Sequence, residues 1–370
     1  MTTPTELRVL QFCHGYDGPF LDCARQYASL FVGTPYKVTT VYLTGAPSVE
    51  VERGSASDEV VFLDYRSRDV RGLKLKAIRD IKRLVVGRNF QFCIAHRFKP
   101  IYVALLGTDL PVIGVHHGFG DYQRLSRKLF ANCFRKRLAL LGVSNAVRNE
   151  IRACLPSWPA ERIETLYNRI DIAAVQAEQV CRDDARAHLG LPQDAWVVGN
   201  VGRLHPDKDQ ATLIRGFAQA LPQLPAGSLL AIMGSGRLES ALKALAAELG
   251  VSTSVRFLGQ VAQGRRYFKA FDVFALTSDH EPFGMVLLEA MAAGVPVICS
   301  DCGGGREVVE GVGRLFAFGD ASALSSVLLT MDRYGEGPRQ ELQNICNHKL
   351  RENFSDASVR SLFWRFFEGV

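Results

Sequence analysis

Apolar positions along this chain alternate between two periodicities. In the second half, short apolar runs stand at 195–202 (AWVVGNVG), 228–234 (SLLAIMG), 255–259 (VRFLG), 273–278 (VFALTS) and 295–300 (VPVICS). Between them lie helical stretches: QATLIRGFAQAL, RLESALKALAAELG, GRRYFKAF and GMVLLEAMAAG. In the second of these, Leu238, Ala241, Leu242, Leu245 and Leu249 fall on one helical face, and Gly250 supplies a stop. Near-continuous apolar strands alternating with helices predict a parallel sheet covered on both faces. The first half repeats the alternation with strand candidates LRVLQFC, KVTTVYL, VVFLD, QFCIAH, PVIGVHH and LALLGVS. Basic helices are predicted over 71–88 and 122–137. The pattern gives an α/β chain of two doubly wound, Rossmann-like domains facing across a cleft, with the junction near residue 170. Such sheets bind ligands at the carboxyl ends of their strands.

Composition adds the partner class. The 370 residues are 47% hydrophobic and 22% charged, with no apolar run long enough to cross a membrane. The first residues lack a basic-then-apolar leader pattern, and nine scattered cysteines suggest free thiols, so a cytoplasmic protein is expected. The net charge of +6 is uneven: residues 1–170 carry +10 and the remainder −4. A basic half suits an anionic partner, such as a phosphorylated substrate or the inner face of a membrane. Cys299 and Cys302 form a lone CxxC without a second ligand pair, which reads as burial at a strand end and not as a zinc site.

Candidate chemistry gathers at the strand ends of the second half. Arg203 and Lys208 flank the turn after Gly202, beside a helix that Asp209 can cap. Two cations near a helix N-terminus suit a diphosphate. Asp207 and Asp209 spell DxD, but helix capping explains them better than a metal. Gly234 and Gly236 permit close backbone approach after the next strand. Glu281 sits in a Pro282–Gly284 turn and Glu289 in the helix beyond it. Gly303, Gly304 and Gly305 read as a second glycine loop, suited to a backbone nest for an anion. Carboxylates beside a phosphate site would repel phosphate. They are expected to accept hydrogen bonds from sugar or ribose hydroxyls, and a nucleotide sugar carries both groups.

The order EPFGMVLLEAMAAGVPV…GGGREVV resembles the Glu-x7-Glu signature of family 4 retaining glycosyltransferases, which have the GT-B fold. VGRLHPDKDQATLIRGFA, MGSGRLESALKALAAELG and FDVFALTSDHEPFG fall in that family's order, so the resemblance covers nearly the whole chain. It implies an N-terminal acceptor domain over 1–170 and a nucleotide-sugar domain over 171–355. A last helix, 356–370, would pack back on the N-terminal domain. By position, Arg203 and Lys208 would bind the donor diphosphate, Glu281 the donor sugar and Glu289 the ribose. Pro282, Phe283, Gly284, Met285 and Glu307 would complete the donor site, with Gly15 and Gly18 in the first strand's loop. His117 would stand near the transferred sugar, His116 being the competing choice. The basic N-terminal half and AHRFKP resemble lipopolysaccharide core transferases, which makes His96, Arg97, Lys99 and Arg124 acceptor candidates.

The resemblance implies transfer of a hexosyl group from a UDP-sugar to a saccharide hydroxyl with retention, without metal or other cofactor, and without nucleic acid as partner. A non-hydrolysing nucleotide-sugar epimerase and a non-catalytic nucleotide-sugar-binding protein are the alternatives. A P-loop enzyme is excluded, because no GxxxxGK[ST] motif occurs.

Overall fold

The computed structural model describes residues 6–333 and 336–368. The chain forms two compact units, one running to Asn168 and joined by the segment from Val359 onward, the other Arg169–Ser358. Each is built on one parallel sheet with helices in the crossovers.

The first sheet contains β1 (Leu7–Cys13), β2 (Tyr36–Thr44), β3 (Glu59–Tyr65), β4 (Phe90–His96), β5 (Val112–His116), β6 (Leu138–Gly142) and β7 (Ile163–Thr165). Their order is β3-β2-β1-β4-β5-β6-β7. The central strands are apolar throughout because both faces are covered: Val9, Leu10, Phe12, Ile94, Ala95 and Val115 have no exposed surface. The strand β7 is only three residues long, too short for a periodic signal, and the sequence reading misses it. The helices predicted over 71–88 and 122–137 are shorter, Leu75–Val85 and Leu125–Cys133. Late in the helix Asp356–Glu368, Phe363 and Trp364 set their rings edge-on against Phe31 at 5.6 and 5.5 Å. The Trp364 indole donates to the Leu30 carbonyl at 3.3 Å. Phe363 is thus buried, and Trp364 packs beside it on the first unit.

The second sheet contains β8 (Val197–Val201), β9 (Leu229–Met233), β10 (Val255–Gly259), β11 (Val273–Leu276), β12 (Val297–Ser300) and β13 (Arg314–Phe316), in the order β10-β9-β8-β11-β12-β13. The helix after β9, Glu239–Glu248, buries Leu242 and Ala246, with Leu238 and Leu245 partly covered. Leu249, assigned to this face in the sequence, is 38% exposed, because the helix has ended and Gly250 turns the chain at φ 70°. GRRYFKAF forms a 3₁₀ segment, Gly264–Ala270, and not an α-helix. At the amino ends of the strands Arg186 is fully buried. It donates to the carbonyls of Ala270, Pro192, Gln193 and Ala195 and pairs with Asp272 at 2.8 Å. Asp272 also accepts from the Val197 amide at 2.7 Å, which pins the start of β8.

Candidate functional site

In the second unit, β9 and β10 lie on one side of β8, and β11, β12 and β13 on the other. Crossovers therefore leave in opposite directions between β8 and β11, and a crevice at their carboxyl ends follows from the winding. A cavity of about 800 Å³ opens at the ends of β8, β9 and β10. Gly202, Arg203, Gly234 and Glu289, all singled out from sequence, line it. Glu289 reaches the wall from the second turn of the helix Met285–Ala292. The Arg203 side chain is 71% exposed and rests 3.3 Å from Asp207, so it can swing toward an anion at little cost.

The rest of the wall carries none of the candidate residues of the sequence. It comes from Gln260–Arg266 beyond β10, and from Glu178. Arg265 holds Glu178 in a two-pronged ion pair, both bonds 2.8 Å. The signal was available: the rule that placed ligands after β8, β9 and β11 applies equally to the loop after β10.

The glycines of this site are there for backbone packing. The loops after β8 and β9 extend the strand pairing, with Gly202 N donating to Met233 O at 3.0 Å and Leu204 N to Ser235 O at 3.0 Å. A Cβ on Gly234, whose φ is 141°, would stand 1.9 Å from the Gly202 carbonyl. One on Gly236 would stand 2.4 Å from the Leu204 carbonyl. Gly236 lies outside the residues that line the cavity.

Across the crevice, Lys208 Nζ meets Glu281 Oε2 at 2.7 Å, and Ser278 Oγ donates to the same oxygen at 3.1 Å. The two side chains are only 19% and 10% exposed. Each was assigned a different part of a ligand; the structure pairs them with each other, beside the lining residues of the cavity. An ammonium has three donors, so one bond to Glu281 leaves two for an anion. Asp209 caps the helix Gln210–Ala220 by accepting from Thr212 N at 3.3 Å. Thr277 Oγ1 donates to the Lys208 and Asp209 carbonyls at 2.9 and 3.0 Å, clamping the two strand-end loops together.

The triple glycine corrects the sequence reading. Gly303, Gly304 and Gly305 form no loop; they are the first turn of the helix Gly303–Val309. The turn 281–283 lies directly on them. A Cβ on Gly303 would meet the Glu281 carbonyl at 2.3 Å, on Gly304 the Pro282 carbonyl at 2.3 Å, and on Gly305 the Cys299 sulfur at 2.8 Å. The Gly304 amide is already used by Glu281 O at 2.7 Å, so the glycines position Glu281. Gly284, with φ 97°, starts the helix that begins at Met285, and Phe283 is buried on Phe354, ring centroids 5.7 Å apart. Glu307 is half-buried on the Gly303–Val309 helix, its carbonyl accepting from Lys349 Nζ at 2.9 Å. Cys299 is buried and Cys302 Sγ donates to the Ser278 carbonyl at 2.9 Å. Among the described residues no group of three or more His, Cys, Asp or Glu side chains is arranged to hold a metal ion.

The first unit presents a histidine cluster at the ends of β4 and β5. His117 Nε2 lies 3.0 Å from His96 Nδ1, the rings stacked at 5.3 Å. Burial, followed by the nearby charges of His116 and Arg97, pushes the His117 pKa down to about 3. It acts as a neutral imidazole near neutral pH. His116, the competing choice, is fully buried between Asp121 at 2.8 Å and Tyr122 at 3.2 Å. Successive strand residues point to opposite faces, which leaves His117 as the half-exposed member. His96 is 3% exposed, so its expected direct contact with an acceptor is corrected: it supports His117 from behind. Arg97 is exposed and adopts φ 73° immediately after β4. Lys99 is half-buried and Arg124 exposed. Gly15 packs against Thr44, where a Cβ would stand 2.8 Å from Oγ1, and Gly18 turns the same loop at φ 60°.

Two family models match in series. Residues 24–174 match "Glycosyltransferase Family 4" and residues 182–331 match "Glycosyl transferases group 1". An uncharacterized glycosyltransferase of Methanocaldococcus jannaschii is 34% identical over 178 residues, 46% of this chain and 44% of that protein. A D-inositol 3-phosphate glycosyltransferase of Thermomonospora curvata is 36% identical over 191 residues, 49% and 44% of the two chains. A lipopolysaccharide core biosynthesis glycosyltransferase of Rhizobium meliloti is 43% identical over 113 residues, 30% and 32%. The matches span less than half the length of each of these relatives. Among solved structures, a glycosyltransferase of Rickettsia africae superposes with a TM-score of 0.84 at 15% identity, covering 99% of both chains. An Anabaena protein in complex with UDP and glucose superposes with a TM-score of 0.77 at 21% identity, covering 98% of this chain and 100% of that one. A family 4 segment and a group 1 segment thus match in series on two Rossmann-like units, and the fold of the chain is that of the GT-B glycosyltransferases.

Proposed function

We propose that this chain is a retaining hexosyltransferase that moves a hexosyl group from a UDP-sugar to a saccharide hydroxyl. The observation that carries the proposal is the cavity of about 800 Å³ at the strand ends, lined by Arg203 and Glu289 and flanked by the half-buried Lys208–Glu281 pair. That set offers cations to a diphosphate and carboxylates to neutral hydroxyls. Glu289 reads the ribose and Glu281 the sugar. Lys208, already held by Glu281, spends its two remaining donors on the β-phosphate. As the C1–oxygen bond breaks, charge grows on that phosphate, and Arg203, Lys208 and backbone amides stabilise it. The acceptor oxygen bonds C1 from the same face, and its proton passes to the departing phosphate oxygen. The transition state resembles that of glycoside hydrolysis. No step of this scheme uses a metal, so the expected outcome of adding a chelator is unchanged turnover.

The Rhizobium relative supports lipopolysaccharide core oligosaccharide as the acceptor, and the Anabaena neighbour carries UDP and glucose on this same fold. No helix among the described residues is long and apolar enough to cross a membrane. The basic helices Leu75–Val85 and Leu125–Cys133 support attraction to an anionic membrane surface, at about 1 kcal/mol per nearby cation. Calorimetric titration with UDP and a panel of UDP-hexoses tests the donor assignment. One-to-one binding by UDP supports it; absence of heat with every nucleotide overturns it.

A further inference from the structure

His117 and Arg124 stand at the two ends of one loop, which joins β5 to the helix Leu125–Cys133. Between them the chain reads GFGDYQ, with Gly118 and Gly120 two positions apart. Packing does not demand these glycines. A Cβ on Gly118 would meet nothing within 4 Å, and one on Gly120 only the Gln123 side chain at 3.9 Å. Gly120 is needed for its backbone, which turns at φ 87°. Glycine loses more conformational entropy than other residues when it is fixed, so this turn has to be held by contacts from outside itself.

The flanks of the loop are held nearby. The His116 carbonyl accepts from the Val143 amide at 3.2 Å. Asp121 bonds His116 Nδ1 at 2.8 Å and pairs with Arg127. The glycine turn is held from farther away in the chain. Glu150, on the helix Asn145–Cys154, accepts from Gly120 N through both carboxylate oxygens, at 2.9 and 3.1 Å. It also accepts from Gln123 Nε2 at 3.0 Å. That helix is a firm base: Ser144 Oγ caps it by accepting from Val147 N at 3.1 Å, and its Val147 and Ile151 are buried.

The partners of Glu150 are neutral although cations stand close in sequence. Arg148 and Arg152, two positions to either side, lie on another face of the helix. Both pair with Glu164, at 3.9 and 2.9 Å. Among the described residues no ion pair involves Glu150. A half-buried carboxylate whose charge goes to a backbone amide makes the strong kind of hydrogen bond, and what that bond fixes is the course of the loop.

We infer that Glu150 is a positioning residue: it fixes the turn at Gly120, and through it the placement of His117 and Arg124 for transfer. The placement for transfer rests on the transferase reading above; the hold on the loop does not. Amide hydrogen exchange is followed over residues 117–124 in the full chain and in Glu150→Ala and Glu150→Gln. Loss of charge-assisted bonds speeds exchange there about ten- to a hundredfold in Glu150→Ala. Glu150→Gln keeps the length and one acceptor oxygen but turns an NH₂ toward two donors, so its effect is intermediate. Turnover of UDP-glucose with lipopolysaccharide core oligosaccharide is measured on the same three proteins. The kcat falls at least about tenfold in Glu150→Ala and follows the exchange rates in order, because displacements of about 1 Å are costly to transfer. The UDP affinity, measured by calorimetry, stays level, since the residues lining its cavity all belong to the second unit. Unchanged exchange in Glu150→Ala overturns the hold on the loop. Faster exchange with unchanged kcat overturns the positioning role and leaves Glu150 structural. A fall in UDP affinity that matches the fall in kcat shows general damage and also overturns it. Wild type that binds UDP but transfers nothing overturns the core-oligosaccharide acceptor alone, and the exchange rates still decide whether Glu150 holds the loop.

Discussion

Replacing Lys208 with Ala separates the roles assigned to the crevice pair. The change removes an ammonium 2.7 Å from Glu281 and leaves that carboxylate with Ser278 as its hydrogen-bond donor. Two costs follow, and they are read by different assays. The first is to ligand affinity. If Lys208 spends two donors on the diphosphate, its loss removes charge-assisted hydrogen bonds of about 1.5–3 kcal/mol, or about ten- to a hundredfold in UDP affinity. Uridine lacks the diphosphate and reaches the site through its ribose at Glu289, so its affinity holds. The second cost is to the fold. The pair is neither exposed, where about 0–1 kcal/mol would be expected, nor fully buried, where breaking it costs about 3–5 kcal/mol. A loss of about 2 kcal/mol lies between these limits, and urea unfolding of the ligand-free chain measures it. Isothermal titration of UDP and uridine into wild type and variant supplies the affinities. An unchanged UDP:uridine affinity ratio would refute the assignment of Lys208 to the diphosphate, whatever happens to stability.

Other expected outcomes test separate parts of the structure. Asp272→Ala leaves Arg186 buried without its counter-ion, so urea unfolding should show a loss of about 3–5 kcal/mol. Gly234→Ala drives a Cβ to 1.9 Å from the Gly202 carbonyl; the loops after β8 and β9 must part, and UDP binding measured by calorimetry falls with little change in the first unit. Glu289→Ala weakens UDP and uridine alike, whereas a loss confined to UDP would contradict the ribose role. The depressed pKa of His117 sets a pH dependence. The unfolded chain binds a proton below the ordinary value of 6.5, and the folded chain does so only near 3. Stability from this group is therefore complete above 6.5 and is lost as pH falls toward 3. Urea midpoints of wild type should fall more steeply with acidification than those of His117→Asn.

The sequence showed the strands clearly because both faces of each sheet are covered and their runs are nearly all apolar. It missed β7 and β13, three residues each at a sheet edge, where no periodicity can register. It overextended the helix at 71–88, since Lys74 turns left-handed at φ 54° and the helix starts only at Leu75. At the site, residue types were legible and their partners were not. Lys208 and Glu281 lie 73 positions apart, and only the return of the chain to neighbouring strands pairs them. The triple glycine looked like an anion nest because a glycine's purpose depends on what lies above it, here the carbonyls of Glu281 and Pro282.

The transfer reaction itself can be followed by proton NMR. The chain is mixed with each UDP-hexose, with and without lipopolysaccharide core oligosaccharide, and the anomeric signals are recorded over time. The account predicts release of UDP only when acceptor is present, with a new glycosidic signal in the donor's own anomeric configuration. A product of inverted configuration, or conversion of donor to an epimer without acceptor, would contradict it.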